Sequence, residues 1–293
     1  MRIPAKLKPL LEEGYISNVV QNLKSGKEAD VFLVESRGGL CCAKVYKDHT
    51  ARSFRSHASY EDGRKTGNSR RDRAMRKKSR YGRAVHEQEW HQAEVNALSR
   101  LHALGISVPE AHFFLDGVLV MEAVLNKEEN VALPLIREEF TPQEAALFHV
   151  RLIRECAAML CEGIIHGDLS PYNILRGAEG PVIIDLPQWV DAAQHTRARE
   201  FFLRDVHNVT SFFSTFHPPL SSCRYGEEMW ELYTRGELSP RSPLTGEWKD
   251  DRTDIEMGDT LFLIRHAEAE EMERRERLAA RLEGREDAGE YRN

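Results

Sequence analysis

The run His166-Gly-Asp-Leu-Ser-Pro-Tyr-Asn-Ile-Leu175, followed by Val182-Ile-Ile-Asp185, constrains this chain more than any other feature. An apolar helical stretch stops at Gly163, so Ile164 and Ile165 lead into a loop that presents Asp168, with Asn173 five residues on. Asp185 is expected at the end of a fully apolar strand. Asp and Asn on loops are common, but an H-G-D-x-x-x-x-N loop joined to I-I-D twelve residues later is not. The spacing suits phosphoryl transfer from a nucleotide. Asp168 would accept or orient the proton of the nucleophile, while the Asn173 carboxamide and the Asp185 carboxylate hold Mg2+ against the phosphates.

A second constellation lies in the β-prone half. Ser25-Gly26-Lys27-Glu28-Ala29-Asp30 directly precedes the apolar run Val31–Glu35, where a nucleotide-binding turn would sit. Ala43-Lys44-Val45 puts a lysine in the middle of an apolar strand, where an unpaired ammonium is costly. Lys44 therefore needs an anionic partner. Glu94, on the apolar side of the following helix, is the candidate, together with phosphate oxygens.

Local patterns arrange these residues in two halves. Runs at 31–35 and 40–46 around Gly38-Gly39, and at 112–115 and 118–122 around Asp116-Gly117, predict hairpins. The first 23 residues read as a short helical or irregular lead-in. A helix is expected from about Val85 to the stop at Gly105. Thr141-Pro-Gln-Glu144 is a capping box for a helix to about Glu162, with Leu147, Val150, Ile153, Ala157 and Leu160 as its buried stripe. Another helix is expected over Glu200–Phe216. The order predicts an α+β fold of two lobes, β-rich then helical, with a hinge near 122–130 and a cleft between them.

With 293 residues, 41% apolar and 30% charged, one large domain or two small lobes can form a core. No apolar run reaches the roughly 18 residues of a membrane span. The N-terminus lacks the pattern of a signal peptide, so no membrane association is expected. Five cysteines (Cys41, Cys42, Cys156, Cys161, Cys223), with no C-x-x-C pair, argue against a disulfide scaffold or zinc module and fit a reducing cytoplasm. The net charge of −6 is uneven: segment 51–83 carries +9 and Glu227–Asn293 carries −8. The basic segment has almost no aliphatic residues and is expected to be a flexible excursion able to contact RNA phosphate. Glu268–Arg285 is expected to form an exposed, charge-laced helix. Thr260-Leu-Phe-Leu-Ile-Arg-His-Ala-Glu268 looks like a histidine-phosphatase motif, but only 25 residues follow it, too few for that chemistry. It is expected to pack its apolar side on the larger lobe.

Several strings together resemble the RIO family of atypical serine/threonine protein kinases, over roughly residues 15–220. They are Ser25-Gly-Lys-Glu-Ala-Asp-Val-Phe32, Cys42-Ala-Lys-Val-Tyr46, Gly105-Ile-Ser-Val-Pro109, Leu119-Val-Met-Glu122, His166-Gly-Asp-Leu-Ser-Pro-Tyr-Asn173, Ile183-Ile-Asp-Leu-Pro-Gln-Trp189 and Arg204-Asp-Val-His-Asn-Val209. The resemblance implies a trimmed bilobal protein-kinase-like fold with ATP and Mg2+, or Mn2+ in its place, in the cleft. It makes Asp168 the catalytic base, and Asn173 and Asp185 the metal ligands. Lys44 would hold the phosphates, oriented by Glu94. Met121, Glu122 and Ala123 would offer hinge backbone to adenine, and Ser25, Gly26, Lys27 and Glu28 would cover the triphosphate. Residues 1–14 become a lead-in, 15–222 the kinase domain with lobes 15–121 and 122–222, and 223–293 an acidic tail. The lead-in is too short for the winged-helix domain of one RIO branch, so the chain looks closer to the branch without it, including bacterial forms.

Ordinary protein kinases differ at three points. The phosphate turn here keeps only Gly26, Ser170 replaces a common lysine, and no A-P-E segment follows Asp185. The expectation is a serine/threonine kinase acting on protein substrates, itself included. An ATPase switch on a ribosomal or other ribonucleoprotein particle is the first alternative. A small-molecule phosphotransferase of the aminoglycoside or choline kinase type is the second, disfavoured by Leu186-Pro187-Gln188.

Overall fold

The computed structural model describes residues 3–47 and 80–248, with side chains in the helix that follows the gap described from Gln92. The expectations for 51–79, for Thr260–Glu268 and for Glu268–Arg285 lie outside the described residues.

A single 3-10 turn and helix α1 (Lys8–Glu12) lead into strand β1 (Asn18–Ser25). The lead-in thus ends in a strand that its irregular apolar pattern concealed. Only Val19 of β1 is buried, because the strand lies at the sheet edge and much of it faces outward. Strands β2 (Ala29–Ser36), β3 (Gly39–Tyr46), β4 (Ala111–Leu115) and β5 (Val118–Glu122) complete an antiparallel sheet of order β1-β2-β3-β5-β4. Asp116 and Gly117 turn the β4–β5 hairpin with φ of 46° and 74°, the left-handed pair that an Asp-Gly turn supplies.

Alternation along the strands gives the sheet two different faces. Cys41, Ala43, Val45, Val118 and Val120 face Leu7 and Leu10 in a small core under α1. Tyr46 and Leu119 face the other way and share a larger core with the second half of the chain. Lys44 belongs to this second side, and pairs in register with Val31 and Leu119.

Helix α2 (Arg80–Ala103) crosses that side, burying Leu98 and Leu101. It starts five residues before the expected Val85, so Arg80–Arg83 of the basic segment form its first turn. The helical half contains α3 (Pro142–Cys161), α4 (Ala198–Ser214) and α5 (Tyr225–Thr234). Short pairs of strands lie between α3 and α4: β6 (Ile164–Ile165) with β9 (Val190–Asp191), and β7 (Ile174–Gly177) with β8 (Gly180–Ile183). The Thr141–Glu144 capping box forms as the sequence predicts.

Two further expectations differ from the structure. Leu147 and Val150 are 69% and 42% exposed, and the buried stripe of α3 runs through Ala145, His149, Leu152, Cys156 and Leu160. The helix is rotated because the polar His149 is accepted in the core, its Nε2 meeting Thr210 Oγ1 of α4 at 3.0 Å. Residues 223–248, expected within a charged tail, pack on the helical half instead. Met229 is fully buried, and Tyr225, Trp230, Tyr233, Leu238 and Leu244 lie against the same core. Apolar residues spaced through an otherwise acidic stretch are what hold it there.

Candidate active site

β3 delivers Lys44 to the cleft, and α2 delivers Glu94 from the opposite wall. The Lys44 ammonium is buried, 2.6 Å from Glu94 Oε1 and 2.6 Å from Asp185 Oδ1. Burial alone would push its pKa down, but the Asp185 and Glu94 carboxylates hold it well above the ordinary value. The second Glu94 oxygen accepts a hydrogen bond from the Tyr46 hydroxyl. Burial and this carboxylate together raise the phenol well above its usual range. Tyr46 was not singled out from the sequence, although two residues after Lys44 it had to share that face of β3.

Asp185 lies just beyond β8 with φ of 68°, a left-handed conformation that aspartate tolerates better than bulkier residues. Burial works to raise its pKa, yet the charge and hydrogen bond of Lys44 prevail and hold it below the ordinary carboxylate value. Asp168 is raised, first by burial and then by the charge of Asp185, with His166, Arg204 and Asn173 opposing. Asn173 Nδ2 donates to the Asp168 carbonyl at 2.9 Å and to its Oδ2 at 3.4 Å. With the amide nitrogen so committed, Oδ1 is the Asn173 atom left to coordinate a cation.

The loop carrying Asp168 is pinned on every side. His166 Nε2 bonds the Ile184 carbonyl at 3.0 Å, and Ile184 N–H donates to the Asn173 carbonyl at 3.0 Å. Beneath the loop, the buried Asp205 carboxylate accepts from Gly167 N–H (2.7 Å) and Leu169 N–H (3.0 Å). Arg204 donates to the Gly167 carbonyl, and Asn208 to that of Leu169 at 3.0 Å. The sequence offered Arg204–Val209 as a matching string without a task, and holding this loop is the task.

The turn between β1 and β2 completes the site. Gly26 N–H closes it onto the Ala29 carbonyl at 2.9 Å, and a Cβ at Gly26 would lie 3.1 Å from that same oxygen. Ser25 Oγ bonds Asn22 Oδ1 at 3.4 Å, and Lys27 is exposed. Burial, and then the charge of Asp185, raise the Glu28 carboxyl above its ordinary value, with Lys44 opposing. At the hinge, Ala123 is buried, and Glu122 N–H is taken by the Glu110 carbonyl at 2.9 Å, so this group is not the donor to a base.

The structure therefore brings Lys44, Glu94 and Asp185 into direct contact, and Asp168 into contact with Asn173. Met121–Ala123 lie at the end of β5, next to β3, and Ser25–Glu28 at the β1–β2 turn. Among the described residues, no group of three or more His, Cys, Asp or Glu side chains can hold a metal by itself. Asn173 Oδ1 and the Asp185 carboxylate are hard oxygen donors, of the kind Mg2+ takes together with phosphate oxygens and water. The five cysteines are all free, and no helix of the described residues is long and apolar enough to cross a membrane.

A family model and the curated relatives name the same family. Residues 30–225 match the model of the RIO domain. The chain is 33% identical over 214 residues to the RIO-type serine/threonine-protein kinase Rio1 of Haloferax volcanii, covering 71% of this chain and 68% of that one. It is 30% identical over 217 residues to the serine/threonine-protein kinase RIO1 of Caenorhabditis elegans, covering 73% and 41%. It thus spans about two fifths of the nematode relative's length. Among solved structures, the Rio2 kinase–ADP/Mg2+–phosphoaspartate complex from Chaetomium thermophilum aligns at 24% identity and a TM-score of 0.48, over 71% of this chain and 59% of that one.

Proposed function

The chain belongs to the RIO domain family, and from that premise we propose that it is an ATP- and Mg2+-dependent protein kinase acting on serine or threonine hydroxyls, its own included. The observation that carries the reading is Lys44, held 2.6 Å from both Glu94 and Asp185 on the wall facing the Asp168 loop. An ammonium fixed between two carboxylates is a preset counter-charge for phosphate.

Bound ATP would supply the transferable phosphoryl group, and its divalent ion would share the phosphate charge. Asn173 Oδ1 and the Asp185 carboxylate would hold that ion, Mg2+ or Mn2+. Lys44 pairs with phosphate oxygens while Glu94 keeps it in place. Asp168 orients the acceptor hydroxyl and takes its proton as the oxygen bonds to the γ-phosphorus and the bond from that phosphorus to the ADP oxygen breaks, releasing ADP. Its raised pKa makes it a better proton acceptor than an exposed aspartate. Met121–Ala123 receive the base, and Ser25–Glu28 cover the phosphates.

Incubation with radiolabelled ATP and Mg2+, alone and with protein substrates, tests this reading. Label should appear on Ser or Thr with the wild type and vanish in Asp168→Ala, which should still bind nucleotide. Full transfer by Asp168→Ala overturns the assignment of the base.

The +9 charge of segment 51–83 favours a ribonucleoprotein as a second partner, with the site working as an ATPase switch in a reducing cytoplasm. RNA binding that weakens steeply with salt supports that reading, and salt-independent or absent binding removes it. A small-molecule substrate is the weaker reading. Leu186, where such enzymes differ, is fully buried in the core shared with the helices.

A further inference from the structure

A turn that grips phosphate must present its N–H groups and keep its carbonyls away. Loops rich in glycine can rotate their peptides to do so, whereas the β1–β2 turn has Gly26 alone. Here two of the turn's carbonyls, those of Gly26 and Glu28, are occupied by a single residue, Lys47, the first beyond β3. Its ammonium donates to the Gly26 carbonyl at 2.7 Å, and its backbone N–H donates to the Glu28 carbonyl at 2.8 Å. At the start of β2, the Ala29 carbonyl accepts from Gly26 N–H.

Every peptide bond here is trans, so each N–H points opposite to the carbonyl of its own peptide plane. Fixing the Gly26 and Glu28 carbonyls on Lys47 therefore turns the Lys27 and Ala29 N–H groups away from it. The Lys47 ammonium is itself held by Asp30, whose Oδ1 lies 2.8 Å away in an ion pair off hydrogen-bond alignment. Asp30 pairs in register with Ser25, so both ends of the turn are tied to one point.

We propose that Lys47, secured by Asp30, is the positioning residue of the phosphate turn, setting its backbone to receive a nucleoside triphosphate in place of the missing glycines. This rests on the nucleotide reading given above. Lys47 touches no reacting atom in this role; it acts through the Gly26 and Glu28 peptides.

The test compares wild type with Lys47→Met, Lys47→Arg and Asp30→Asn. Methionine keeps the apolar stem, so the fold is spared. Backbone amide exchange over Ser25–Asp30 is measured without nucleotide, and affinities for Mg·ATP and for adenosine are measured separately. Lys47→Met should speed exchange in the turn, weaken ATP about tenfold through loss of a charge-assisted bond, and leave adenosine binding unchanged. The KM for ATP should rise with kcat nearly constant, Lys47→Arg should recover most of the loss, and Asp30→Asn should shift the same way as Lys47→Met. Unchanged exchange and ATP affinity in Lys47→Met overturn the proposal, as does equal weakening of ATP and adenosine. A wild type that binds no ATP instead overturns the nucleotide reading, and amide exchange still decides whether Lys47 holds the turn.

Discussion

Trp189 Nε1 donates to the carbonyl of Ala93 at 3.2 Å, tying the segment that follows Asp185 to the helix turn that carries Glu94. The two carboxylates flanking Lys44 are thus joined by a second route, independent of the lysine. Trp189→Phe keeps the ring's bulk and removes this bond, worth about 1 kcal/mol. Phosphoryl transfer should fall about fivefold, and the melting temperature should drop by about 2–4 °C. Steady-state rates with ATP decide the matter, and an unaltered rate would separate Trp189 from Glu94.

Removing Lys44 should cost more than removing its partner's charge. Lys44→Met leaves Glu94, 1% exposed, and Asp185 without their cation. A broken buried pair of this kind costs about 3 kcal/mol. Glu94→Gln still leaves Lys44 on Asp185 and can still accept from Tyr46. Thermal unfolding should therefore rank wild type, then Glu94→Gln, then Lys44→Met, while both variants lose transfer. The reverse order would mean that the lysine is not the keystone of this cluster.

Burial raises the Asp205 carboxyl to about 6 from its ordinary 3.8, against the pull of His166, Arg204 and the Gly167 and Leu169 N–H groups. The folded protein holds this proton more tightly than the unfolded chain. The group's stabilising contribution is full below pH 3.8 and is lost as pH rises through 6, a change of about 3 kcal/mol. Urea unfolding should show wild type losing ground to Asp205→Asn between pH 4 and 7. A constant gap across that range would contradict this.

His149 acts with the opposite sign. Burial, reinforced by the charge of His217, lowers its imidazole to about 4 from 6.5. Its contribution is full above pH 6.5 and is lost as pH falls through 4, again about 3 kcal/mol. His149→Gln keeps a polar group near Thr210 and should flatten the acid limb of the stability curve. Retention of the full acid loss in that variant would place its origin elsewhere.

What was legible in the sequence followed from residues whose chemistry is explicit locally. Asp116-Gly117 announced a hairpin through its backbone preference, and Thr141–Glu144 a helix start through its caps. Lys44 in an apolar strand demanded an anion, and the structure places Glu94 beside it. What escaped depended on packing. β1 hides because an edge strand buries only one residue, Val19, and α3 is turned by the His149–Thr210 bond, made between residues 61 apart in sequence. Asp205 and Lys47 were invisible as site residues because both act on backbone groups, which no side-chain pattern records. Residues 223–248 looked like tail because their charge outweighed a few well-spaced aromatic and aliphatic side chains.

The larger core has one more implication. Tyr46 and Leu119 from the sheet sit in the same apolar mass as Leu152, Leu160 and Phe213 from the helices. Swinging one half of the molecule away from the other would wet that mass, whereas the turn residues Ser25–Glu28 contribute no side chain to it. A displacement of the turn therefore disturbs far less of the core than a separation of the halves, and a nucleotide passing by the turn would leave that core dry.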